Sequence, residues 1–97
     1  MNIDQKKVLY LTLRKEFFDQ IKSGEKTSEF REYKNHWIKR LMNQDGSFKA
    51  YDLILFKNGY HSDAPQMLVE FKGIRINNSY SEWGSVFEIK LGKIVEE

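Results

Sequence analysis

The 97-residue chain has no cysteine, one proline and two histidines. Without thiols it can build neither a disulfide framework nor a thiolate metal site, and its composition fits a reducing cytoplasm. His36 and His61 lie far apart in sequence with no cysteine to join them, so their spacing suggests no metal centre, and no cofactor is expected. Long apolar runs are also missing. No stretch nears the roughly 20 residues that span a bilayer, and residues 1–7 lack the apolar core of a signal peptide. A soluble cytoplasmic protein with no membrane partner is the expectation. The net charge, +2, by itself says nothing about nucleic acid. Its distribution says more: residues 1–50 hold 11 Lys+Arg against 7 Asp+Glu, whereas residues 51–97 hold 5 against 7. An anionic ligand would meet the first half.

What the chain does have is 40% hydrophobic and 14% aromatic residues, enough for one modest core and a single domain over residues 1–97. Residues 7–13 are apolar at nearly every position, the pattern of a strand covered on both faces and central in its sheet. Over residues 14–23, Phe17 and Ile21 at a spacing of four, with Phe18 alongside, predict a short helix. A second helix is predicted over residues 34–42, with Trp37, Ile38, Leu41 and Met42 inward. Residues 51–57 and 67–72 read as strands, and residues 77–85 as a polar loop. Residues 86–91 read as a closing strand that runs on past Gly92. Between Phe71 and Ile74 the apolar phase slips by one, which a bulge at Gly73 would explain.

The densest chemistry lies in Ser23-Gly24-Glu25-Lys26-Thr27-Ser28-Glu29-Phe30-Arg31-Glu32-Tyr33. Gly24 stands where a helix C-terminus favours a residue able to take positive φ. From Thr27 the chain suits a strand, so Thr27, Glu29, Arg31 and Tyr33 share one face and Ser28 and Phe30 the other. Lys26, at the bend, can turn to either side. A cleft offering Lys26 and Arg31 to phosphate, with aromatic rings for stacking, suits RNA or a nucleotide. Tyr33, Tyr60, Tyr80 and Trp83 are the candidate rings. The same ionic residues also fit a plain ion-pair network at a sheet end, or a solvated edge strand.

Gly24-x-Lys26-x-x-Glu29-x-Arg31, after a helix ending at Ile21-Lys22-Ser23, resembles the signature of the ASCH domain, a PUA-like family tied to RNA metabolism. The resemblance extends over the whole chain. It implies an α+β fold: a small barrel of five to six strands with two flanking helices. It also implies a ligand cleft at the motif, expected here at Gly24, Lys26, Thr27, Glu29 and Arg31; from the residues themselves, Tyr33, Tyr80 and Trp83 are the rings expected beside it. Some members of the superfamily are amidohydrolases that deacetylate N4-acetylcytidine with the lysine matched by Lys26, a threonine and a downstream glutamate. Here Glu29 stands at the threonine's place, and Glu82 is the only acid in residues 77–85. If this chain is an enzyme, Lys26 is the expected base or nucleophile and Glu29 the proton carrier. A ribonuclease activity has also been associated with the family.

Other patterns carry less. His61, Ser62 and Asp63 are adjacent in sequence, which is not the geometry of a catalytic triad. Gly24-Glu25-Lys26-Thr27 lacks the earlier glycine and the adjacent Gly-Lys of a phosphate loop.

Overall fold

Seven elements follow one another in the computed structural model, which describes residues 5–80 and 84–96. They are β1 (Val8–Leu13), α1 (Lys15–Lys22), β2 (Ser28–Glu32), α2 (Asn35–Leu41), β3 (Leu53–Asn58), β4 (Gln66–Tyr80) and β5 (Gly84–Glu96). The five strands form one mixed sheet in the order β1-β3-β4-β5-β2. Only β1 and β3 run parallel; the other neighbours are antiparallel. The protein is thus α+β, with the two helices in the crossover between the parallel strands.

The sheet is not closed into a barrel. β1 and β2 stand at its two ends, and among the described residues no strand pairing joins them. Between them lies a seam that side chains bridge. Arg31 on β2 donates to the Thr12 carbonyl at 3.2 Å, and Arg40 on α2 donates to the Tyr10 carbonyl at 2.6 Å. Trp37 lies between the two guanidiniums, 4.8 Å from Arg31 and 4.9 Å from Arg40. Tyr10 and Thr12 are two apart on a strand, so their carbonyls point the same way off the edge. The arginines cover an edge that would otherwise offer free acceptors to another chain.

This corrects the expectation that β1 is central. Leu9, Leu11 and Leu13 are buried, but Tyr10 is exposed, so one face only is covered. An apolar run reports side-chain burial and is silent on how many strands flank the backbone. A second correction concerns residues 77–80, expected to be loop. Asn77 pairs with Val86 and Tyr80 with Gly84, so β4 runs to Tyr80 and β5 begins at Gly84, and residues 84–85 of the expected loop are strand as well. The polar composition there suits turns, yet the partner strand satisfies the backbone, leaving Asn78 and Ser79 exposed while Asn77 and Tyr80 are half-buried.

The core is built from β1, α1, α2 and the middle strands. Phe56, Phe87, Ile54, Ile89, Leu41 and Val69 are fully buried. Phe18 and Ile21 seat α1 on it, while Trp37, Ile38 and Met42 pack α2 against its margin. The pairing of β4 with β5 shifts register at four places, two of them beside Phe71. The pairing steps from Phe71–Leu91 to Gly73–Lys90, so β4 carries an extra residue there, as the slip in apolar phase implies. It also steps from Val69–Ile94 to Phe71–Leu91, an extra residue on β5. At this second bulge a Cβ on Gly92 would lie 2.6 Å from Lys72 Cε and 2.9 Å from Glu70 Cβ. The Glu70 carboxylate meanwhile accepts the Lys93 amide at 2.9 Å.

Gly92→Val forces branched volume into that approach and is expected to destabilise the fold by about 1–3 kcal/mol. Urea denaturation measures it, and an unchanged midpoint would show that the bulge has room to spare.

Candidate functional site

α1 ends in a bend that sets the position of Lys26. The Gly24 amide donates to the Ile21 carbonyl and the Lys26 amide to the Gln20 carbonyl, both near 3 Å, while Gly24 takes φ +85°. A side chain at Gly24 would meet this left-handed backbone with a Cβ clash of its own. The main chain of Lys26 is therefore tied to the helix, and its side chain is sent forward over β2.

β2 then places Glu29 and Arg31 on one face and Ser28 and Phe30 on the other. The charged face turns inward: Glu29 pairs in register with Ile89 and Arg31 with Phe87, both core residues. Glu29 is only 5% exposed. A carboxylate so far from water needs compensating partners, and two are present. Lys26 Nζ lies 3.1 Å from Oε1, and Arg31 Nη2 donates to Oε2 at 2.5 Å. Both cations are themselves largely covered, 18% exposed. Lys26 Nζ also sits over the rings of Phe17, at 5.1 Å, and Phe30, at 5.3 Å. Arg31 Nε is buried with no hydrogen-bond partner.

Beside this cluster, between the end of β1 and the edge of β2, lies a cavity of about 540 Å³. Thr12, Leu13, Arg14 and Phe17 line one side; Lys26, Glu29, Phe30 and Arg31 line another; Asn58, Gly59, Tyr60 and Tyr80 complete it. Because the cavity wraps the strand edge, side chains from both faces of β2 reach it. Phe30 stacks on Tyr80 with centroids 4.5 Å apart. The lining thus carries three cations against one carboxylate, whose oxygens already face Lys26 and Arg31.

The remaining candidates are distributed elsewhere. Gly24 and Thr27 border a neighbouring cavity of about 410 Å³, with Lys26 between the two. Tyr33 lies beyond the end of β2 and packs its ring on Phe87 at 5.1 Å; it does not line the larger cavity. Trp83 and Glu82 lie outside the described residues. Among the described residues no group of His, Asp or Glu has the arrangement of a metal site. No helix among them is long and apolar enough to cross a membrane.

Three contributors were not legible as such. Arg14 looked like a helix-start residue, and Phe17 like one more position on the apolar stripe of α1. Glu88 had no visible partner. On the opposite face of the sheet from Glu29, Glu88 accepts from Arg75 Nε at 2.8 Å, Ser28 Oγ at 3.0 Å and Asn77 Nδ2 at 3.3 Å. Burial pushes its carboxyl up, but the hydrogen bonds from Arg75, Ser28 and Asn77, with the charge of Arg75, hold it below the ordinary value of 4.5.

No protein-family model matches the chain, and no curated protein matches it.

Two outcomes follow from these carboxylates. Removing the charge of Glu29 leaves two covered cations facing each other, so Glu29→Gln is expected to cost about 3–5 kcal/mol. The loss should shrink when Lys26→Met is added, and strictly additive losses in denaturation would refute the coupling. The folded-state pKa of Glu88 is depressed, so its contribution is complete above the unfolded value and is lost as pH falls through the lower folded value. Between neutrality and about pH 3, Glu88→Gln should lose less stability than the parent chain; equal losses would mean its partners do not prefer the carboxylate.

Proposed function

We propose that the chain is an ASCH-like, PUA-like module, its open sheet an incompletely closed barrel, which binds RNA or a nucleotide in the cavity beside Lys26. The observation that carries this reading is the convergence of Arg14, Lys26 and Arg31 on a space of about 540 Å³ with aromatic walls. Ligand pockets for small molecules span about 300–1,000 Å³, so one nucleotide fits the scale. Both Glu29 oxygens face cations, so its role is to hold Lys26 and Arg31 in place. Aromatic rings supply apolar surface for a base, and the positive surplus supplies attraction for phosphate.

One feature favours a second reading. The Lys26 amine and the Glu29 carboxylate, 3.1 Å apart, border the same cavity, an arrangement able to pass a proton during hydrolysis of an amide on a modified nucleoside. Cytidine released from N4-acetylcytidine, and lost in Lys26→Ala, would support that reading. Product formed equally by the alanine variant would end it.

For the binding reading, calorimetric titration with uridine 5′-monophosphate and a short oligouridylate is expected to show saturable binding that weakens as salt is added. Lys26→Met removes the charge and keeps the stem, and should weaken affinity by about tenfold or more. Affinity indifferent to both salt and Lys26→Met would overturn it.

A further inference from the structure

The groups around the cavity are not equally engaged, and the difference gives it a direction. At depth, Lys26 and Arg31 are held by Glu29, and Arg31 Nε is a buried donor without an acceptor. At the mouth, the Arg14 guanidinium makes no hydrogen bond or ion pair among the described residues. Tyr60 is 89% exposed. It follows Gly59, whose φ of +99° turns the chain where β3 ends, and the Asn58 amide is tied to the Pro65 carbonyl at 2.9 Å, so the loop is closed at its base. The inner rings are already occupied: Phe30 has Tyr80 on it and Lys26 near it, and Phe17 has Lys26 above it. Tyr60 is the lining ring that a ligand can cover at least cost in existing contacts.

We infer that a nucleotide enters base first, its carbonyl edge meeting the donors at Lys26 and Arg31, its phosphate at Arg14, and its base or ribose covered by Tyr60. This rests on the binding reading above and adds orientation and selectivity to it. The deep end is rich in donors: an ammonium with three N–H groups, one of them facing Glu29, and the Arg31 guanidinium on the cavity wall. Its one acceptor, Glu29, is shared by two cations. Such an end favours a base edge carrying carbonyl oxygens, as in uracil or guanine, over adenine, which has none. With the phosphate at the rim, a free nucleotide and a nucleotide turned out of a longer strand present the same chemistry.

The test is calorimetry on the full chain with uridine, uridine 5′-monophosphate, adenosine 5′-monophosphate and hexauridylate. The uridine monophosphate is expected to bind about tenfold more tightly than uridine, and that advantage to vanish in Arg14→Ala while uridine affinity is kept. Tyr60→Ala should weaken both by about tenfold, and Tyr60→Phe should restore them. Adenosine monophosphate should bind more weakly than its uridine counterpart. Hexauridylate matching the monophosphate marks recognition within a strand; hexauridylate failing to bind marks a free nucleotide, and the orientation stands in either case. No binding of any probe overturns both this inference and the reading beneath it. Binding with the phosphate advantage intact in Arg14→Ala, or unaffected by Tyr60→Ala, overturns the orientation alone.

Discussion

The carboxylate of Glu29 is the interaction on which the rest of the structure turns. It is nearly out of water, and it is tolerated because one oxygen faces Lys26 and the other accepts from Arg31. Each cation carries a second connection. Lys26 is tied through its main chain to the end of α1, and Arg31 reaches across the sheet opening to the Thr12 carbonyl on β1. One buried charge thereby connects the first helix, the last strand of the sheet and the first.

The cavity exists because that connection is made by side chains. If β1 and β2 paired through their backbones, the edges would approach to about 4.8 Å and the space between would disappear. A guanidinium spanning the seam keeps the edges apart yet covered. The same arrangement brings Trp37 between Arg31 and Arg40, so α2 is stacked against the group that holds the site together. The residues that hold the seam also line the cavity. On the proposed binding reading, that is the reason a polar face points inward in so small a protein, where apolar side chains would pack with less electrostatic cost.

Much of the ionic cluster was legible because it is local. Lys26, Glu29 and Arg31 lie within six consecutive residues, and a glycine bend followed by a two-residue period is enough to bring them to one side. Tyr33, just past the end of β2, stays on the side of Arg31 and packs on Phe87, but it does not reach the cavity. The period also cannot say that the charged face is the covered one. That depends on Ile89 and Phe87 lying opposite, on a strand more than fifty residues further along. The cavity lining comes from three further parts of the chain: Arg14 and Phe17 at the start of α1, Tyr60 after β3 and Tyr80 at the end of β4. The two tyrosines stood out as rings in polar surroundings, whereas nothing in the local pattern distinguishes Arg14 from a surface residue or Phe17 from a core one. The apolar run of β1 likewise looked central because hydrophobicity along a strand records what covers its faces and not what flanks its edges.

The amino-acid sequence alone determined the alternation of strand and helix, the bend at Gly24, the bulge near Gly73 and the clustering of one acid with two bases. Each of these arises from side-chain pattern or backbone sterics within a few residues. Tertiary structure decided the strand order, the open seam and the rings that wall the cavity. The reason is that backbone N–H and C=O groups are the same at every non-proline position, so no local pattern names a strand's partner. That choice is made only when the whole chain finds the arrangement that buries its apolar faces together.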